Sequence, residues 1–498
     1  MEIANPTPGL NIDEVMDNAQ TAFLAYQSYT QEEVDTVVAS VYRAAFNARV
    51  RLAEMAHEET RLGVVADKVL KNIIATRYVY EDIRTLKTVG VISENPESGI
   101  TEIAQPIGPI FCVTPITNPT STVLFKILIA LKTRNPVIIR PHGAAKKCSI
   151  EAARICYEAA VEAGAPVHCI QWIKRSSENE TIAFMAHRKT ALILATGSVS
   201  LVRAAYSSGN PAIGIGPGNV PVYIGRTADF PFAVEQIMRS KTFDNGTICA
   251  SEQAVVCTSD YAETVRALFR AHGAYFMTRD EIAKASAIGI NHAQRVMNPA
   301  VIGQPASRIA QMAGINIPEG TRVLMAELDE VGLQAPLSLE ILAPILAFYT
   351  SPDFDSSIEI CRKINRYGGL GHTASIYSTN EERIEYFANA MNAGRILVNT
   401  PASFGALGGT FNALQPSMTL ACGSGGKNIT TDNISAKHLL NIQRIARRKE
   451  HACFECAERW GMDPSMDQTT VDARCSHING PIGSCKEIWP TATDAEEK

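Results

Sequence analysis

At 498 residues the chain is too long for one ordinary hydrophobic core, so two or more domains are expected. Hydrophobic residues at 46% and charged residues at 19% exclude a disordered or collagen-like chain. Lys plus Arg number 46 against 51 Asp plus Glu, a net charge of −5, which leaves no global electrostatic signature of nucleic-acid binding.

The amino end, Met1-Glu2, has no basic stretch leading into an apolar run, so no secretory signal is expected. The first ninety or so residues read as helices. Ile12, Val15, Met16, Ala19, Phe23 and Tyr26 form an apolar stripe at helical spacing, the pattern of core packing. Thr30-Gln31-Glu32-Glu33 has the form of a capping box, in which the Thr30 hydroxyl accepts the Glu33 amide and the carboxylate reaches back. Val34, Val37, Val38, Val41 and Ala45 follow on one face.

From about residue 107, short apolar runs alternate with helices. Residues 109–113, 136–139, 168–172, 191–194 and 220–224 read as buried strands, and 120–131, 149–163, 178–186 and 201–207 as helices. Such alternation predicts a parallel sheet wound by crossover helices, a nucleotide-binding architecture. A second α/β region is expected over 241–415, with a strand from 252 to 258, helices at 262–271 and 279–287, and strands at 321–326, 345–349, 374–377 and 395–399. Apolar runs at 123–131 and 341–349 are interrupted by Lys126 and Pro344 and are shorter than the roughly twenty residues a membrane span needs. Residues 441–498 read as a polar tail with one short basic helix carrying Arg444, Arg447, Arg448 and Lys449 on a solvated face. With twelve cysteines and no secretion signal, a reducing, cytoplasmic setting with mostly free thiols is expected; Cys156 and Cys361 fall in apolar helical patterns and read as core.

The most informative segment is 241–253. Asn245-Gly246 is a turn dipeptide that places Cys249 just before a strand, where a thiol is reachable and nearby main-chain amides favour its thiolate. An isolated cysteine would read as a small core hydrophobe, but its context here differs. Phe243-Asp244-Asn245-Gly246-x-Ile248-Cys249-Ala250-Ser251-Glu252-Gln253 resembles the nucleophile segment of acylating (CoA-dependent) aldehyde dehydrogenases, most nearly the aldehyde dehydrogenase half of bifunctional aldehyde–alcohol dehydrogenases. Blocks at 113–122, 130–135, 205–209, 336–344, 371–373 and 399–403 agree in order, so the resemblance covers roughly residues 13 to 445. No iron-dependent alcohol dehydrogenase half follows, and alcohol formation is not expected from this chain.

The resemblance implies an α/β, aldehyde dehydrogenase-like fold. Residues 1–239, with a return segment at 415–445, would form a Rossmann-type NAD-binding domain; residues 240–414 would form the α/β catalytic domain and 446–498 an oligomerisation or metal-binding arm. It also implies that Cys249 adds to the aldehyde carbonyl, that the thiohemiacetal oxyanion is held by the Asn118 side-chain amide and the Cys249 main-chain amide, and that loss of hydride leaves a thioester. Taken alone, Asn118-Pro119 would read as a plain helix start. Hydrolytic relatives carry a glutamate base in a Glu-Leu-Gly-Gly-Lys segment; here residues 213–219 are Ile-Gly-Ile-Gly-Pro-Gly-Asn, without a carboxylate, which favours the CoA thiol over water. The implied reaction is the reversible oxidation of a short-chain aldehyde to acyl-CoA.

For the cofactor the resemblance implies Thr114, Pro115, Gly197, Ser198 and Gly216, with Glu340 holding the nicotinamide ribose. Gly197-Ser198 falls between a strand and the next helix, where amides face a pyrophosphate. Arg140 and His142 occupy the strand end near the adenine ribose, where a cation also suits a 2′-phosphate, so NADP is the alternative to NAD. His372 matches a histidine to which CoA deprotonation is ascribed; its plain reading is a hydrogen-bonded loop residue.

Cys453, Cys456, Cys475, His477 and Cys485 have zinc-ligand chemistry but only one close pair, so they read as free thiols and no metal is assigned. The expected partners are a short aldehyde and CoA, with no nucleic acid and no membrane, in a homodimer or higher homo-oligomer that is encapsulated or filament-forming. Two other functions stay open. One is a hydrolytic dehydrogenase releasing the free acid. The other is an assembly or scaffold subunit, supported by the tail and the first amphipathic helix. Spacing does not choose among acetaldehyde, propionaldehyde, succinic semialdehyde and sulfoacetaldehyde.

Overall fold

The computed structural model describes residues 11–174, 177–291, 296–447, 464–467 and 469–470. The chain divides into two units: residues up to 89 together with 105–441, and residues 90–104 together with those from 442 onward.

The smaller unit is built on a three-stranded sheet. Gly90–Asn95 pairs antiparallel with Ile100–Pro106, and Leu440–Ala446 lies beside the latter. The basic run expected as a helix is therefore a strand at Arg444, which pairs with Glu102 at 2.9 Å, while Arg447 donates to the Thr101 hydroxyl at 2.7 Å. Its first residues alternate in exposure with a period of two, the signature of a strand. Cys453, Cys456, Cys475, His477 and Cys485 lie outside the described residues.

The larger unit holds two parallel sheets. The first contains β1 (Ile110–Val113), β2 (Val137–Arg140), β3 (Ile170–Trp172), β4 (Leu192–Thr196) and β5 (Ala212–Ile215), in the order β3-β2-β1-β4-β5. Its strands are Val/Ile/Leu-rich because helices cover both faces. On one face Ile110 and Ile139 share a core with Val34, Val37, Val38 and Val41 of helix Gln31–Asn47 and with Leu124 and Leu128 of helix Pro119–Lys132. On the other, Phe111, Ile138 and Ile193 pack with Val15, Met16 and Ala19 of helix Ile12–Tyr26. The first apolar stripe is thus core, and the Thr30–Glu33 capping box is formed. β5 has no counterpart among the strands expected from sequence; it is short and carries Gly214, which breaks its apolar pattern.

The second sheet contains β6 (Val220–Ile224), β7 (Glu252–Thr258), β8 (Ala274–Phe276), β9 (Val323–Glu327), β10 (Ile345–Ser351), β11 (Gly371–Tyr377) and β12 (Ala393–Val398), in the order β8-β9-β10-β7-β6-β11-β12. Residues 220–224, expected beside the first-sheet strands, pair instead with β7 and β11. An apolar run shows that a strand is buried, not which sheet buries it. The eight described cysteines are free, and Cys156 and Cys361 are fully buried as expected. No helix among the described residues is long and apolar enough to cross a membrane.

Two consequences of this topology matter for chemistry. Strand order in the first sheet reverses between β1 and β4, and ligands of open α/β sheets bind beyond the carboxyl ends of the strands at such a reversal. In the second sheet all strands run parallel, so the amino ends of β6, β7, β10 and β11 fall on one edge.

Candidate active site

Cys249 stands between a short 3-10 turn, Phe243–Gly246, and the amino end of β7. Three consecutive residues of the turn, Asp244, Asn245 and Gly246, have φ of 49°, 52° and 75°. Asp and Asn tolerate this left-handed region better than other side-chain residues, but only glycine adopts it freely. At Gly246 a Cβ would also come within 3.0 Å of the Ala343 backbone.

An ion cluster that the sequence did not disclose holds this turn. The buried Asp244 carboxylate accepts from the Val64 amide at 2.7 Å, Lys68 Nζ at 3.0 Å, Lys71 Nζ and the Thr247 hydroxyl at 2.7 Å. Its own amide donates to Asp67 Oδ2 at 2.7 Å. Both lysines come from helix Val65–Ile73 and are themselves buried. Burial alone would raise the Asp244 pKa, but the two ammoniums outweigh it and hold the carboxyl below the ordinary range. Gly63 completes the fit, since a Cβ there would overlap Asp244 Oδ1 at 1.8 Å.

Among the eight described cysteines only Cys249 is not fully buried. The loop 216–219, at the amino end of β6, lies against it. A Cβ at Gly218 would fall 2.4 Å from the Cys249 carbonyl oxygen and 2.9 Å from His372 Cγ, so glycine alone lets the nucleophile segment and the imidazole approach each other. The Gly218 amide donates to Glu340 Oε1 at 2.8 Å, and Asn219 Nδ2 donates to the Ser338 and Ile364 carbonyls. Glu340, expected at the nicotinamide ribose, thus has one oxygen engaged by the loop; burial pushes its carboxyl up to about 7.

The thiol corrects one expectation. Burial, then the charge of Glu340, push the Cys249 thiol up to about 12, against the opposing pull of Arg395. The main-chain amides of its segment do not offset this desolvation. Glu340→Gln is therefore expected to lower the Cys249 pKa. At pH 8, where Glu340 is ionised and Cys249 is not, the variant should react with iodoacetamide severalfold faster, one pKa unit being tenfold in thiolate. An equal or slower rate would contradict the assignment of Glu340 as a charge acting on Cys249.

His372, at the start of β11, is fully buried. Its Nδ1 lies 2.9 Å from Thr373 Oγ1, and its Nε2 has no partner among the described residues. Burial and the nearby Arg395 push its pKa down to about 3, so the ring is neutral. Arg395, on β12, donates through Nη2 to the His372 and Ala421 carbonyls at 2.6 and 2.8 Å and through Nε to Thr373 Oγ1 at 3.3 Å. Neither Arg395 nor Thr373 was picked out from sequence, although an arginine in a buried strand run is a signal in itself.

Asn118 precedes helix Pro119–Lys132 but makes no side-chain cap bond to it. Its Nδ2 donates to Thr117 Oγ1 at 3.0 Å, and its buried Oδ1 has no partner among the described residues. The plain helix-start reading asks for that oxygen to accept a helix amide; here the carboxamide is left for another task.

At the first sheet's reversal, Thr114-Pro115 follow β1, and Gly197-Ser198 follow β4. The Thr114 hydroxyl is buried with no partner among the described residues. Ser198 accepts the Leu201 amide at 3.3 Å and caps helix Val199–Tyr206. Beneath both loops the buried Lys126 Nζ donates to the Val113 and Leu194 carbonyls, each at 2.8 Å, and to Thr196 Oγ1 at 3.2 Å. Arg140 ends β2; His142 follows it and accepts the Ala144 amide at 3.2 Å, and burial with Arg140 lowers its pKa. Gly216 has open space where a Cβ would project. An orphaned hydroxyl, a capped helix start and a buried cation at the reversal suit a dinucleotide pyrophosphate.

The described residues thus gather Cys249, Gly218, Glu340 and His372 at one sheet edge, and Thr114, Pro115, Gly197 and Ser198 at the other sheet's reversal. The chain is similar to known proteins over most of its length. A model of the aldehyde dehydrogenase family matches residues 9–415. The bifunctional aldehyde-alcohol dehydrogenase AdhE of Escherichia coli (strain K12) is 44% identical over 444 residues, 88% of this chain and 50% of that one. The chain thus spans about half the length of curated relatives of this type. Succinate-semialdehyde dehydrogenase (acetylating) of Clostridium kluyveri is 34% identical over 91% of this chain and 99% of its own. The crystal structure of an acetylating aldehyde dehydrogenase from Geobacillus thermoglucosidasius superposes with a TM-score of 0.86 at 45% identity, covering 88% of this chain and 97% of that one.

Proposed function

Because the chain belongs to the aldehyde dehydrogenase family, we propose that it oxidises a short-chain aldehyde to acyl-CoA, reversibly, with NAD and CoA and with Cys249 as nucleophile. The observation that carries the CoA-dependent reading is the loop 216–219: glycine occupies the position facing Cys249 and His372, and no side chain of the loop supplies a carboxylate to activate water.

The Cys249 thiol gives up its proton to solvent as its sulfur bonds to the aldehyde carbonyl carbon and the carbonyl electron pair moves to oxygen. The resulting oxyanion is held by Asn118 Nδ2, whose second hydrogen is not needed by Thr117, and by the Cys249 amide; such preplaced donors typically supply a hundredfold or more in rate each. A nicotinamide dinucleotide, when bound, supplies the hydride acceptor. Thr114, Pro115, Gly197, Ser198 and Gly216 would hold its phosphates, Glu340 the nicotinamide ribose, and Arg140 and His142 the adenine end, where the Arg140 cation also admits NADP. The thioester left on Cys249 passes to the CoA thiol.

Product analysis tests this reading. With aldehyde, NAD and CoA, acyl-CoA should form in step with NADH; without CoA, free acid should form at less than about a tenth of that rate. Free acid at the full rate without CoA would replace this reading with the hydrolytic one, whose support is Glu340, a carboxyl near neutral pKa beside the same thiol. Assembly as a homodimer or larger homo-oligomer, encapsulated or filamentous, and a cytoplasmic setting belong to the same proposal; family resemblance supports the first and the free thiols of the described residues support the second.

A further inference from the structure

Which nitrogen of His372 carries its hydrogen follows from its neighbours. Arg395 is a permanent donor, and its Nε takes one lone pair of Thr373 Oγ1 at 3.3 Å. That hydroxyl has a single hydrogen, and its other hydrogen-bonding neighbour among the described residues is His372 Nδ1 at 2.9 Å. Both residues are fully buried. With the ring hydrogen on Nδ1, the hydroxyl would accept twice and its own hydrogen would be left unpaired, as would the Nε2 lone pair. That form leaves one hydrogen and one lone pair unpaired. With the hydrogen on Nε2, the chain runs from Arg395 through Thr373 to Nδ1 and only Nε2–H is left without a partner, so fewer buried groups go unpaired. The remaining donor is then Nε2–H, on a ring whose Cδ2 edge would lie 3.1 Å from a Cβ at Gly218, the same point that is 2.4 Å from the Cys249 carbonyl oxygen.

We propose that His372 is a neutral hydrogen-bond donor which, through Nε2–H, steadies the acyl oxygen on Cys249 during transfer to CoA, and is not the base that deprotonates CoA; Thr373 and Arg395 are positioning residues that set its tautomer. The proposal rests on the reading of Cys249 as nucleophile. In the step, the CoA sulfur bonds to the acyl carbon, and the carbonyl electron pair moves to oxygen and accepts Nε2–H. The carbon–sulfur bond to Cys249 then breaks, with its electron pair leaving on that sulfur. The CoA proton passes to solvent, and nothing is oxidised or reduced. The pH dependence of transfer therefore follows ionisation of the CoA thiol itself.

Two arms test this on the full-length enzyme. In nitrogen–proton correlation spectra of protein with ¹⁵N-labelled histidine, the signal lost in His372→Gln should show a protonated Nε2 and a bare Nδ1; a hydrogen on Nδ1, or on both nitrogens at pH 7, overturns the proposal. In rapid-mixing experiments on acyl-enzyme formed from aldehyde and NAD, His372→Gln, whose carboxamide still donates, should transfer to CoA within about tenfold of wild type, and His372→Ala about a hundredfold slower, with an unchanged pH profile in both. Thr373→Val should give mixed tautomers and slower transfer, restored by Thr373→Ser. Equal losses in the Gln and Ala variants, with a pH profile shifted or flattened, would show a base and overturn the proposal. Absence of a stoichiometric NADH burst in wild type would instead count against Cys249 as nucleophile, and the spectra would still decide the tautomer.

Discussion

Replacing Cys249 with alanine is expected to lower CoA-dependent NADH formation by at least about 10⁴-fold, the scale on which loss of a covalent nucleophile acts. No other cysteine among the described residues is placed to substitute for it. The other seven described cysteines are buried, and burial raises the pKa of each. Cys422 is pushed up to about 11 and donates to the Leu420 carbonyl. The stability of the variant should stay within about 1 kcal/mol of wild type, because Cys249 is a free, partly exposed thiol and alanine leaves only a small void. Parallel measurement of NADH formation and denaturant unfolding separates loss of chemistry from loss of fold. Activity retained in a folded variant would refute the assignment.

The second large effect is expected at Asp244. Asp244→Ala leaves the Lys68 and Lys71 ammoniums buried without their carboxylate, a disruption that typically costs about 3–5 kcal/mol. It also frees a turn whose left-handed residues persist only while their surroundings hold them. Denaturant unfolding should show the loss, and the NADH burst should slow with it. The pH dependence has a definite sign. The folded pKa of Asp244 lies below its unfolded value, so its contribution is complete above about pH 4, the ordinary carboxylate range, and disappears as pH falls through the folded value. Wild type and variant should therefore differ at pH 7 and converge in acid. Replacing Asp244, Lys68 and Lys71 together by apolar residues should restore much of the stability, since neither buried ammonium is then left without a carboxylate. A single variant as stable as wild type would show that the cluster holds nothing.

What the sequence disclosed divides along physical lines. Elements whose evidence is local were legible. The helix at Glu178–Ala186 has the bounds its pattern implies, and the capping box at Thr30 and the strand at Glu252–Thr258 formed as expected. The sheet that receives residues 220–224 is a tertiary fact that an apolar run does not encode. Arg444 was misassigned because charge dominates that stretch and its two-residue alternation is short; Arg448 and Lys449 lie outside the described residues. The Cys249 segment stood out through its motif. Its supports did not, because nothing in the local pattern marks Lys68 and Lys71 as buried, and only the fold places Asp244 against them. Lys126 was visible merely as a charge interrupting an apolar run; the structure shows why a lysine is tolerated there, with three oxygen acceptors around its ammonium.

The frame around the sulfur also bears on when, during synthesis, the chain becomes reactive. Lys71 precedes Thr247 by 176 positions, so one half of the brace is already made as Cys249 leaves the ribosome. The other half is not: Gly246 closes against the backbone of Ala343, Glu340 comes from the same late stretch, and His372 and Arg395 follow. Contacts of such long sequence separation form late and together. A nascent polypeptide therefore carries the Cys249 thiol through translation without the groups that surround it in the fold, and acquires them only as its last parallel strands dock.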